Sequence, residues 1–181
     1  MHIWNRETYI RAWTFAADAH GNQKVPGTDH PYIHHIGLVA MEAMAASVRE
    51  NTNDPDLLVA CALLHDTIED THVTYEDIKQ GFGGEVADGV LALTKDPSLP
   101  SAEARMADSL SRIRQQPRPV WMVKLADRIT NLQPPPGHWD GARIEAYRKE
   151  AALILSELGA ASAYLSTRLA RKIKQYPGDG A

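Results

Sequence analysis

Cysteine occurs once in this 181-residue chain, so no disulfide can form within it, and Cys61 inside an apolar run reads as a small buried thiol. Phenylalanine occurs only twice, against many Ala and Leu at helical spacing, which points to an all-α protein. Positive charge is not in excess either: 19 Lys and Arg stand against 23 Asp and Glu, for a net charge of −4. That argues against nucleic-acid binding through a broad basic surface, and it requires any anionic ligand to be met by local cations or a metal. No apolar run approaches membrane-spanning length, and the start Met1-His-Ile-Trp-Asn-Arg-Glu lacks a signal-peptide core. A soluble, cytoplasmic protein with no membrane partner is expected. Repeats, low-complexity tracts and linkers are absent, so the expectation is one domain over residues 1–181, a bundle of about eight or nine helices with 177–181 as a tail.

The chemistry concentrates in residues 63–71, Leu-Leu-His-Asp-Thr-Ile-Glu-Asp-Thr. The preceding run, residues 57–64, has strong helix formers and no turn residue, so a buried helix should carry His65 and Asp66 on its last turn. Adjacent helical residues point about 100° apart, and one ion between those directions can take both. Glu69 and Asp70 follow closely enough to crowd three carboxylates together, which calls for a cation; a solvated acidic helix end is the plainer alternative.

Other segments supply partners. Asn5 can cap a first helix ending before Gly21, with His20 near the dipole-favoured end. Residues 21–31 form a loop whose only formal positive charge is Lys24. A second helix begins at Pro31-Tyr32; its apolar set Ile36, Val39 and Ala43 leaves His34 outward and His35 at the inner boundary, suited to ligate a metal beside His65-Asp66. Thr74 to Asp77 has a capping pattern, 85–93 is a short apolar helix, and 101–115 is an exposed one. Residues 120–132 form an apolar helix interrupted by Asp127 and Asn131 on one face, and a buried Asp127 needs a partner or an ion. After Pro134-Pro135-Pro136-Gly137, a helix opening at His138-Trp139 spaces Trp139, Arg143 and Tyr147 by four. That stripe can sandwich a flat base and hold a phosphate, or can be half-buried packing with a snorkelling arginine.

Pro31-Tyr32-Ile33-His34-His35, His65-Asp66-Thr67-Ile68-Glu69-Asp70-Thr71 and the run from Val123 through Asp127 and Asn131 to Leu132 resemble the HD metal-dependent phosphohydrolases. More specifically they resemble the hydrolase domain of RelA/SpoT-type proteins and the stand-alone small alarmone hydrolases. The resemblance implies that His35, His65, Asp66 and Asp127 bind one Mn²⁺, with Zn²⁺, Fe²⁺ or Co²⁺ as alternatives. It implies that Glu69 and Asp70 position or activate the attacking water, and that Asn131, Trp139, Arg143 and Tyr147 line a nucleotide pocket. Lys24 and Arg143, with Arg128, would offset polyphosphate charge. The implied reaction removes the 3′-pyrophosphate of (p)ppGpp or (p)ppApp, by a hydrolase without a synthetase half and of open oligomeric state. The chain departs from that family at Ile36, where proline is usual, in the loop Gln23-Lys24-Val25-Pro26 with its single cation, and at Ser101, near a usual lysine. The sparse loop makes an adenosine alarmone a candidate beside the guanosine one. Rival expectations are an HD phosphohydrolase acting on the 2′-phosphate of NADPH or on a nucleoside monophosphate, and a non-catalytic nucleotide sensor.

Overall fold

The computed structural model describes residues 3–178, so residues 179–181 of the expected tail lie outside the described residues. Its helices are α1 (Arg6–His20), α2 (Ile33–Glu50), α3 (Pro55–Leu64), α4 (Thr67–Asp70), α5 (Tyr75–Phe82), α6 (Gly84–Leu93), α7 (Ala102–Ile113), α8 (Arg118–Asn131), α9 (Gly141–Leu158) and α10 (Ala163–Gln175), with a 3-10 turn at Gly159–Ala161. Nine of them have eight residues or more, and the described residues contain no strand. The all-α expectation holds.

Two helices form the centre. In α3 every residue but Asp56 is buried, as the apolar run after Asp56 demands, and it packs against α1, α2, α6 and α8. Helix α8 is buried along most of its length and meets α2, α3, α9 and α10. Of the metal-ligand candidates, Asp127 sits on α8 and His65 directly follows α3.

Local chemistry sets the ends. Asn5 accepts from the N–H groups of Glu7 and Thr8 to start α1, and Gly21, at φ 50°, ends it. Thr74 and Asp77 form the expected capping box of α5. Two of the boundaries that differ from expectation lie beside the site. Helix α3 stops at Leu64, because the Thr67 hydroxyl donates to the Leu64 carbonyl at 2.7 Å and the chain breaks through Asp66 into α4. His65 and Asp66 thus occupy a kink rather than a last turn. Helix α9 starts at Gly141 rather than at His138-Trp139, because Asp140 caps it by accepting from the Arg143 N–H at 2.7 Å, leaving Trp139 in the preceding loop. Helix α10 begins at Ala163 behind the Ser162 cap.

Close packing is required at Gly89 of α6, where an added Cβ would lie 2.8 Å from Cys61 Sγ and 2.9 Å from Val120 Cγ2. Gly89→Ala should therefore destabilise the protein by about 1–2 kcal/mol despite alanine's better helix propensity. Thermal melts should show the midpoint several degrees lower, and an unchanged midpoint would mean that α6 shifts without strain.

Candidate metal centre and adjoining cavity

His35 from α2, His65 from the kink after α3 and Asp127 from α8 bring their donor atoms within 4.8 Å of one another, all buried. The two imidazole Nε2 atoms are 3.3 Å apart. Asp127 Oδ1 is 3.5 Å from His35 Nε2 and 3.9 Å from His65 Nε2. Asp66 joins this group through Oδ2, 3.0 Å from His65 Nε2 and 3.5 Å from His35 Nε2.

Hydrogen bonds behind these groups decide which atoms face inward. His65 Nδ1 lies 2.9 Å from the Ala62 carbonyl, which can only accept, so Nδ1 donates there and Nε2 is the nitrogen that faces the cluster. Tyr32 donates to Asp66 Oδ2 at 2.7 Å, and Lys124 donates to Asp127 Oδ2 at 3.1 Å, one helical turn before it. Asn131 donates to Asp127 Oδ1. Lys124 rather than Arg128 is thus the cation beside Asp127; Arg128 pairs with Glu150 and stacks over Tyr147 at 4.4 Å.

Charge within the cluster is shifted accordingly. Burial works to raise the Asp127 pKa, but Lys124, His35 and His65 hold the carboxyl well below the usual range. Asp66 is likewise held low, burial being outweighed by His65 and His35. Burial alone would lower the His35 pKa, yet Asp127 and Asp66 push it up to about 9. Acceptor nitrogens and carboxylate oxygens converging on one point need positive charge there. A proton on His35 supplies part of it, and a divalent cation with nitrogen and oxygen ligands fits the same donor set.

The cluster opens onto a cavity of about 1120 Å³. His35 belongs to both, as its ring edges the cavity beside Asn131. Farther out, Trp139, Arg143 and Tyr147 share one wall: the Arg143 guanidinium lies 4.3 Å over the Trp139 ring, and Tyr147 meets that ring edge-on at 5.2 Å. The exposed His34 stacks on His30 at the cavity's edge.

Glu69 and Asp70 stand outside the mutual cluster, each held by its own partner. Glu69 accepts from the Lys95 main-chain N–H at 2.8 Å and from its ammonium at 3.1 Å. Asp70 accepts from Gln23 at 3.2 Å, and Gln23 in turn meets His20 Nδ1 at 2.8 Å. Lys24 is not brought to the cavity. Its ammonium turns back to Asp29 at 2.7 Å, while Val25 and Pro26 from the same loop line the wall.

The HD domain family matches residues 12–163, a span containing every candidate ligand. This chain belongs to the HD-domain family. The guanosine-3′,5′-bis(diphosphate) 3′-pyrophosphohydrolase MESH1 of Danio rerio is 34% identical over 175 residues, covering 93% of this chain and 94% of that one. MESH1 of Homo sapiens is 30% identical over 172 residues, covering 92% and 93%. A guanosine-3′,5′-bis(diphosphate) 3′-pyrophosphohydrolase of Aquifex aeolicus is 36% identical over 131 residues, which is 70% of this chain but 18% of that protein. A solved structure described as a metazoan ortholog of SpoT that hydrolyzes ppGpp and plays a role in starvation responses matches with a TM-score of 0.80 at 26% identity, over 96% of this chain and 98% of the other.

The HD-domain geometry also brings in residues that the sequence reading left without a role. Lys124, three residues before Asp127, was legible from helical spacing alone. Tyr32, just before α2, reaches Asp66 across 34 residues and Lys95 reaches Glu69 across 26, so neither has a local signal.

Proposed function

We propose that this chain hydrolyses the 3′-diphosphate of an alarmone nucleotide, (p)ppGpp or (p)ppApp, releasing pyrophosphate. The observation that carries this reading is the junction at His35, where a buried cluster of metal-grade donors borders a nucleotide-sized cavity with an aromatic wall. The MESH1 proteins, which align along nearly their whole length, bear the name of that activity.

His35, His65, Asp66 and Asp127 would hold a divalent first-row ion such as Mn²⁺. When bound, the ion would polarise a phosphate oxygen and lower the pKa of nearby water. Glu69 and Asp70 orient the attacking water and accept its proton as its oxygen bonds to the phosphorus next to the ribose. The bond from that phosphorus to the 3′-oxygen breaks, and the 3′-oxygen leaves with the bonding pair and is protonated by water. The products are pyrophosphate and the nucleoside 5′-di- or triphosphate. Trp139 and Tyr147 would stack the base while Arg143, fixed over Trp139, meets phosphate. Arg143 and Lys149 on the cavity wall offset Glu103 and Glu150 there, easing entry of a polyanion into an acidic protein. Cytoplasmic nucleotide pools are the setting this implies.

The test is pyrophosphate release by the purified chain with Mn²⁺, comparing ppGpp and ppApp, with NADPH and a nucleoside monophosphate as controls. Metal-dependent release from either alarmone is expected. Release of orthophosphate from the controls alone would transfer the site to another substrate, and nucleotide binding without turnover would make the protein a sensor. Trp139→Ala should raise KM about tenfold or more, in line with the cost of losing one base-stacking aromatic, with kcat nearly kept. An unchanged KM would place the base elsewhere.

A further inference from the structure

Glu69 is held by a residue outside the metal-ligand set and outside its own helix. Lys95 follows the end of α6 and grips both oxygens of the Glu69 carboxylate, its N–H donating to Oε2 at 2.8 Å and its ammonium to Oε1 at 3.1 Å. Lys95 also lines the cavity that His35 borders. Although burial works to lower its pKa, Glu69 first and then Asp127 and Asp66 raise it, so the charge stays on at neutral pH and lies within electrostatic reach of the metal-site carboxylates. An ion pair this open to solvent adds little to stability. Fixing a carboxylate from two sides restricts where that carboxylate can point.

We propose that Lys95 is a positioning residue that aims Glu69 at the attacking water. This rests on the hydrolase reading above and assigns Lys95 its part in that reaction. Because the main-chain donor survives any substitution, removing the ammonium loosens Glu69 without freeing it. The loss should therefore be partial and should pass entirely through Glu69.

The experiment is a double-mutant cycle on pyrophosphate release with Mn²⁺, using wild type, Lys95→Met, Glu69→Gln and the pair, with Lys95→Arg as the conservative control. Lys95→Met is expected to lower kcat roughly tenfold with KM and the melting midpoint nearly unchanged, and Lys95→Arg to recover most of the loss. In the Glu69→Gln background, Lys95→Met should cost less than about threefold more, since groups acting as a unit are not additive. A multiplicative loss accompanied by a raised KM would overturn the proposal and make Lys95 a phosphate contact. A kcat for Lys95→Met within twofold of wild type would overturn it too, as would a loss that merely tracks unfolding in both Lys95 variants. In each of these cases an active wild type leaves the hydrolase reading standing; a wild type that releases no pyrophosphate takes down that reading and this proposal together.

Discussion

Asp127→Asn is expected to lower metal-dependent pyrophosphate release by roughly a hundredfold to a thousandfold, the scale of losing one fixed electrostatic group at a reacting phosphate. Asp127 is the one candidate ligand supplied by α8, and its Oδ1 faces both imidazoles while Oδ2 is tied to Lys124. Asparagine keeps the shape and a polar contact for Lys124, but removes the negative charge that offsets the Lys124 ammonium and a bound cation. Two consequences should separate. Metal affinity falls because a ligand charge is gone, and stability falls because Lys124, only 6% exposed, is left without its counter-ion. Activity measured at saturating Mn²⁺, with a melt run in parallel, distinguishes them. An Asp127→Asn protein that stays within tenfold of wild type would remove α8 from the metal centre.

Glu69→Gln is expected to act on the chemical step alone. The amide oxygen can still accept from one of the two Lys95 donors, so part of the local geometry survives, but the amide cannot take a proton from water. Loss of a general base lowers rates by about 10²–10⁴-fold, so kcat should fall by at least a hundredfold with KM and Mn²⁺ affinity unchanged. Asp70→Asn should be the milder of the two, because Asp70 is held by a single bond from Gln23. If Glu69→Gln weakens metal binding as much as Asp127→Asn does, Glu69 is a ligand and the division of roles is wrong.

Much of this site can be read along the chain, because its two strongest signals are local. His65 and Asp66 follow an apolar run whose burial composition alone requires, and Asp127 interrupts an otherwise apolar helix. Helix caps at Asn5 and Thr74 are side-chain chemistry within three residues, so those starts are legible, whereas the expected start at His138-Trp139 passes over the cap at Asp140. The kink at Asp66 depends on the Thr67 hydroxyl competing for a helix carbonyl, which periodicity does not register. The aromatic wall also differs in origin from the expected helical stripe. Trp139 reaches Arg143 and Tyr147 from a loop, folded back by the Asp140 cap, and not from one turn below on the same helix. Lys24 illustrates the converse: as the only cation of its loop it suited a phosphate, but Asp29, five residues on, satisfies it first. Long-range partners such as Tyr32 and Lys95 become visible only when the helices are packed.

The central claim is that four donors from α2, the kink after α3 and α8 hold one divalent cation at the edge of the nucleotide cavity. Mn²⁺ titration followed by electron paramagnetic resonance tests it without reference to turnover. Wild type should take up about one tightly bound Mn²⁺ per chain, and His65→Ala should bind at least about a hundredfold more weakly while keeping its helical spectrum. Equal binding by the two proteins, or none by wild type, would contradict it.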